Sequence, residues 1–221
     1  MKIGLRSEDW IPPLLHYFHK FKLNRIDEFL RKLEYKFTGD WVCGITPTIR
    51  LDDMNDILKA IDIIDIRDIK SLFSNKELFE VDINEFKKNI EGNIYKKQFA
   101  RYLLLKLEYL LSDNTVHLSG YNYITVEHIL PQNPRLDSQW KKDFSEIDRA
   151  EWTNKLSNLV LISQKKNSAL GNSDFIEKKK VYLKKRIDAF HANKVFIDQN
   201  TKWTPSVLRE RQDKLISLLA K

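Results

Sequence analysis

Two short segments hold the side chains with the most obvious chemistry. One is Val126-Glu127-His128-Ile129-Leu130-Pro131-Gln132. The other is Leu156-Ser157-Asn158-Leu159-Val160-Leu161-Ile162-Ser163, followed by Gln164-Lys165-Lys166-Asn167-Ser168. A neutral imidazole such as His128 can take a proton from water near pH 7. A carboxylate such as Glu127 and an amide oxygen such as that of Asn167 are hard donors that suit Mg²⁺ or Mn²⁺. Lysines such as Lys165 and Lys166 can hold phosphates. Together these types describe metal-assisted hydrolysis of a phosphodiester. Consecutive strand residues normally face opposite sides of a sheet. Glu127 and His128 therefore reach one cleft only if the alternation relaxes at the strand end, before Pro131. A plainer account uses the same residues: a Glu-His pair occurs by chance, His128 is a satisfied strand residue, and Asn158 and Asn167 are turn residues.

The charge is unevenly placed. Residues 1–120 hold 19 basic and 19 acidic side chains, whereas 121–221 hold 19 and 12, so the second part carries all of the net +7. Residues 155–186 contain nine basic side chains and two acidic ones, Asp174 and Glu177. A neutral part followed by a basic one points to a polyanion partner, although Lys178–Lys180 and Lys184–Arg186 also fit the solvated face of a helix.

Composition narrows the rest. Twelve Phe, eight Tyr and five Trp are enough to build a core, which argues against disorder. Six glycines and six prolines argue against a turn-rich all-β protein. No stretch approaches the roughly 20 apolar residues of a membrane span, and Met1-Lys2-Ile3-Gly4 lacks the apolar core of a signal peptide. A single cysteine, Cys43, excludes an internal disulfide and a cysteine-based zinc knuckle. A cytoplasmic location is the expectation.

These residues need elements to position them. Ile26, Phe29, Leu30, Leu33 and Phe37 make an apolar stripe that predicts a helix over 24–37, stopped by Gly39. Residues 41–50 read as a connection, with a second helix starting after Leu51 and capped by Asp52 or Asp53. The state of residues 61–73 stays open. Residues 95–111 predict the strongest helix, apolar over much of its circumference and thus a buried spine. Residues 121–130 read as a strand ending at Pro131, and Leu159–Ile162 as a second. Between them, Trp140 and Trp152 are the expected core anchors. One or two helical turns over 165–170, closed by Gly171, come next. Asp174 to Glu177 has capping-box spacing and opens a basic helix, and Thr204-Pro205 opens another over 205–219.

The run Glu-His-Ile-Leu-Pro-Gln, an Asn-Leu-Val-Leu strand and then Lys-Lys-Asn resembles the HNH (ββα-metal) nuclease motif. Trp140, Glu151-Trp152, Leu156 to Leu159, Asn167 to Asn172, Phe175 and Lys178 resemble one branch: the C-terminal nuclease domain of GmrSD-type modification-dependent restriction enzymes, shared by related phosphorothioation-linked anti-phage nickases. Segments such as Phe29–Glu34 and Phe99–Leu104 are similar to its helical part. The resemblance covers about residues 25–218 and is strongest over 124–178. It implies that His128 is the general base, that Glu127 and Asn167 are ligands of one Mg²⁺ or Mn²⁺ ion, and that Asn158 braces the loop and helps to hold His128. Glu127 stands where many such nucleases have Asp, and Asn154-Lys155 stand where this branch often has His-Arg. Lys165, Lys166, Lys178, Lys179, Lys184 and Arg186 would bind the phosphates of double-stranded DNA.

The expected fold is therefore mainly α with an embedded ββα-metal element, α+β in class. It comprises a neutral helical scaffold (1–120), the nuclease element with its basic helix (121–192), and a C-terminal helix packing back (193–221), all as one compact unit. The expected activity is a metal-dependent DNA endonuclease or nickase in restriction of modified or phage DNA, in a bacterial or archaeal cytoplasm. The relatives carry an NTPase or modification-sensing module. No Gly-rich phosphate loop is present here, so the chain reads as the C-terminal part of a larger protein or the partner of such a module. A catalytically inactive DNA-binding or scaffolding domain is the second reading, and a helical interaction domain the third.

Overall fold

The computed structural model describes residues 1–2, 4–111, 124–163, 170–183 and 202–220. The chain divides into two compact units, Met1–Asn89 and Ile90–Lys221. Residues 1–89 hold 15 basic and 16 acidic side chains, so 90–221 hold the other 23 and 15. The net positive charge thus belongs entirely to the second unit.

The first unit is helical: α1 (Ile11–Phe21), α2 (Ile26–Cys43), α3 (Pro47–Ile63), a 3₁₀ turn at Ile66–Asp68, α4 (Ile69–Ser74), α5 (Lys76–Phe79) and α6 (Ile83–Glu91), whose end passes into the second unit. The predicted stripe on α2 is its core face: Phe29, Leu33 and Phe37 are fully buried, and Tyr17 of α1 stacks on Phe29 at 4.0 Å between ring centroids. Two boundaries differ from expectation. Helix α2 passes through Gly39 and ends instead at Gly44, which adopts the left-handed conformation (φ 75°). Gly39 serves a close approach: a Cβ there would lie 2.6 Å from both γ-carbons of Val81. Helix α3 starts earlier than Leu51, at Pro47, with the Thr46 hydroxyl accepting from the Ile49 N–H and the proline fitting the first turn, where no N–H is needed.

The second unit contains α7 (Ala100–Leu111), β1 (Ile124–His128), α8 (Gln139–Asp143), α9 (Glu146–Trp152), a 3₁₀ turn at Leu156–Asn158, β2 (Leu159–Ser163), α10 (Phe175–Leu183) and α11 (Pro205–Leu219). β1 and β2 pair antiparallel, with Val126 opposite Leu161, Glu127 opposite Val160 and His128 opposite Leu159. The mainly helical α+β class is as expected. The two units divide after Asn89, and α7 packs on β2 and α11 within the second. The helix also begins at Ala100 rather than Tyr95, since Lys96 turns the chain through positive φ (69°).

Trp140 and Trp152 anchor the core of this unit as predicted, together with Ile129, Leu130, Phe175, Tyr182 and Trp203. The Trp140 indole donates to the Ser173 carbonyl at 3.0 Å. The Asp174 carboxylate accepts from the Gln139 N–H at 3.0 Å, tying the start of α8 to the start of α10. Thr204 caps α11 through the Val207 N–H, with Pro205 at its first position. The turns expected over 165–169 lie outside the described residues. Among the described residues no helix is long and apolar enough to cross a membrane.

The Gly39 contact can be tested directly. Gly39→Ala improves helix propensity by about 1 kcal/mol but forces a methyl into Val81, and overpacking of this kind costs about 1–3 kcal/mol. A net loss of about 1 kcal/mol in urea denaturation is expected. Adding Val81→Ala should restore most of the stability lost to the methyl clash.

Candidate active site

The site is built at the end of β1. After His128 the chain stays tied to the segment before β2: the Ile129 N–H donates to the Asn158 carbonyl at 3.0 Å, and the Asn158 side chain takes over from there. Its Oδ1 accepts from the Leu130 N–H at 2.8 Å and from the Trp203 indole N–H at 3.2 Å. Its Nδ2 donates to the Leu130 carbonyl at 2.9 Å and to the Thr153 carbonyl at 2.8 Å. A carboxamide has two donors and a two-fold acceptor, and this one, fully buried, uses all of them. Asn158 therefore clamps the bend that follows His128 to the end of α9.

Glu127 and His128 line the same cleft, of about 220 Å³, with Pro131, Gln132, Asn133, Gly171 and Asn172. Their neighbouring positions in β1 do not separate them, because both lie at the strand end. The His128 Nε2 is 3.1 Å from the Asn154 Oδ1, and the Gln132 side-chain amide donates to that same oxygen at 3.2 Å. With the Asn154 oxygen accepting from both groups, the ring carries its proton on Nε2 and its free lone pair on Nδ1. The Tyr95 ring meets the imidazole edge-on at 4.2 Å; the Ile94 and Tyr95 N–H groups bond to the Asn154 carbonyl. Burial pushes the His128 pKa below the usual histidine value; the bond to Asn154 opposes this, and the nearby Lys178 adds to it. The imidazole is neutral at pH 7.

Lys178 of α10 is fully buried. Its Nζ donates to the Glu127 Oε1 at 2.9 Å and to the His128 carbonyl at 2.7 Å. Burial raises the Glu127 pKa, opposed by the attraction of Lys178; burial lowers that of Lys178, opposed by Glu127. Each partner thus offsets part of the other's burial penalty. This corrects the expectation for Lys178, whose ammonium faces a carboxylate in the interior and not the phosphates of a polyanion. Lys179 beside it is half-buried. Lys165, Lys166, Asn167, Lys184 and Arg186 lie outside the described residues.

Sequence reasoning missed the inward role of Lys178, the bond from Asn154 to His128, and Tyr95. A signal existed for the first. Phe175, Lys178 and Tyr182 follow at three- and four-residue steps, so the lysine sits on the apolar face of its helix. Among the described residues, no group of three or more His, Cys, Asp or Glu side chains could hold a metal ion. The hard oxygen donors at the cleft are the Glu127 carboxylate and the side-chain amides of Gln132, Asn133 and Asn172.

An anchored imidazole and a carboxylate thus share one cleft, in the unit that carries all of the net positive charge. Residues 80–218 match the pattern of GmrSD restriction endonucleases, C-terminal domain, and the chain belongs to that family. A nuclease role goes with it. The match takes in nearly all of the second unit and the last ten residues of the first, so the likeness noted at Phe29–Glu34 lies outside it. No curated protein and no solved structure matches the chain.

The clamp makes a quantitative expectation. Asn158→Ala leaves the Leu130 N–H, the Leu130 and Thr153 carbonyls and the Trp203 indole without their partner. A single unsatisfied buried group costs about 1–3 kcal/mol. Chemical denaturation should therefore show a loss of about 3 kcal/mol or more, and a loss under about 1 kcal/mol would mean that the clamp is dispensable.

Proposed function

We propose that this chain is a metal-dependent DNA endonuclease or nickase domain, built on a ββα-metal (HNH) element that begins with β1 and β2, and that it acts in restriction of modified or phage DNA. The observation that carries the reading is the shared cleft of Glu127 and His128, with the His128 Nε2 anchored on Asn154. His128, neutral and with its lone pair on Nδ1, takes the proton of the attacking water. General-base assistance of this kind is worth about a hundred- to ten-thousand-fold in rate. Asn158 keeps the backbone after His128 in place. Glu127 is the anionic ligand of a single Mg²⁺ or Mn²⁺ ion, with Asn167 as a further oxygen donor. One carboxylate with amide oxygens suits a hard divalent ion and not zinc, whose sites are built mainly from His and Cys. When bound, such an ion supplies charge stabilisation at the phosphate and the leaving oxygen.

Lys165, Lys166, Lys179, Lys184 and Arg186 hold backbone phosphates of double-stranded DNA. Contacts of that kind give affinity but little sequence information, so target choice falls to a partner or N-terminal NTPase or modification-sensing module. The setting is a bacterial or archaeal cytoplasm. One observation favours a second reading, a catalytically inactive DNA-binding or scaffolding domain: the Glu127 carboxylate already has a buried cation, Lys178, at 2.9 Å.

Plasmid cleavage separates the two. The active reading expects nicked or linear DNA with Mg²⁺ or Mn²⁺, none with EDTA, and a loss of about a hundredfold or more in His128→Ala with an unchanged circular dichroism spectrum. Equal cleavage by both proteins removes His128 from catalysis, and retention of DNA without cleavage under any metal favours the inactive domain. Charge reversal at Lys179, Lys184 and Arg186 should weaken DNA retention and flatten its salt dependence; unchanged retention would make that face merely solvated.

A further inference from the structure

We infer that Lys178 is a positioning residue for the cleavage reaction: its ammonium holds the Glu127 carboxylate and the His128 backbone in the arrangement that turns both side chains into one cleft. This rests on the nuclease reading above.

Three observations meet at this residue. Lys178 occupies an apolar helix face, between Phe175 and Tyr182, and no part of its side chain reaches solvent. Hydrophobic side chains in place of both Lys178 and Glu127 would pack there without a desolvation penalty; replacing a whole buried ion pair in that way is often neutral or stabilising. A lysine at such a position is therefore explained by what its charge contacts. Those contacts belong to two consecutive residues, one through a side chain and one through the main chain: the Glu127 Oε1 at 2.9 Å and the His128 carbonyl at 2.7 Å. A single nitrogen bonded to both fixes the direction of the carboxylate relative to the peptide that follows the histidine.

The two residues are thereby held from complementary sides. Asn154 fixes the His128 ring through Nε2, and Lys178 fixes the His128 carbonyl together with the Glu127 carboxylate. Full burial also argues against a contact of the lysine with DNA. Lys178 acts through Glu127 and His128, as outer partners of metal ligands do; loss of such a partner typically lowers metal affinity or activity ten- to a hundredfold.

The test uses the full chain. With ¹⁵N-labelled lysine, the buried Lys178 ammonium is protected from exchange and gives a side-chain ¹H–¹⁵N signal, assigned by its absence in Lys178→Met. In the wild type this signal should move saturably as Mg²⁺ is added. Lys178→Met should weaken Mn²⁺ binding in titration calorimetry by about tenfold or more. It should lower kcat for plasmid cleavage by a similar factor, with KM for the plasmid and its salt dependence unchanged. A folded Lys178→Met protein with wild-type Mn²⁺ affinity and kcat overturns the inference, as does a change confined to KM and the salt dependence, which would mark a phosphate contact. If Lys178→Met does not fold, the wild-type signal decides alone, and a Lys178 resonance indifferent to Mg²⁺ overturns the inference. A wild type that neither binds Mn²⁺ nor cuts plasmid defeats the nuclease reading itself, and the inference with it.

Discussion

The carboxamide of Asn158, fully buried, makes four hydrogen bonds, and the shape of the cleft follows from them. Two go to Leu130, one to the carbonyl of Thr153 and one to the indole of Trp203. In the interior, each of these groups would be costly to leave unpaired. Together they fix the chain two residues beyond His128 against the end of α9 and the approach to α11. The segment that leaves β1 therefore cannot drift, and Gln132 is held near enough to bond to Asn154. The neighbouring Ser157 is tied in the same way: its N–H donates to the side chain of Gln212 of α11 at 2.8 Å, and Gln212 in turn donates to the Ile90 carbonyl. The buried side chains of Asn158 and Gln212 thus pair with main-chain atoms of the segments that carry the cleft.

A second constraint is electrostatic. Burying one charge is unfavourable, and burying a carboxylate and an ammonium together is tolerable when they touch and share further bonds. Glu127 and Lys178 meet that condition, with the His128 carbonyl as the further acceptor. The pair adds no net charge to the interior, while its ammonium and the burial both disfavour an imidazolium next to it. A charge-neutral wall and a neutral imidazole thus arise from one arrangement. The positive excess of the unit lies in its other basic side chains.

The strands, the tryptophan anchors and the Thr204-Pro205 helix start were legible because each depends on local chemistry: β-branched runs, large apolar side chains, and a hydroxyl cap followed by a proline. Thr46-Pro47 is the same signal, yet it reads as a connection when the apolar stripe beginning at Met54 is taken as the start of the helix. Gly39 misleads for a different reason. Glycine ends helices through its freedom at positive φ, but it also permits close approach, and only the position of Val81 tells the two uses apart. The boundary between units was hidden likewise. Helix α7 is apolar over most of its circumference and so announces burial, without saying that β2 and α11 are what cover it.

Lys178 shows where reading charge along a sequence stops. Lys178, Lys179 and Lys180 are one basic run in the sequence, but successive helix positions are turned by about 100°, and the run divides into a buried, a half-buried and an exposed residue. Periodicity with Phe175 and Tyr182 indicates that the first of them faces inward; it does not indicate toward what. The partner comes from β1, 51 positions earlier. The same holds for Asn154, which lies 26 positions from the imidazole it orients. A short motif singles out His128 as the proposed base, whereas the partners of its ring and of the neighbouring carboxylate are residues brought to it by the fold. With the Asn154 oxygen accepting from both the ring and Gln132, the nitrogen on the other side of the ring keeps its lone pair.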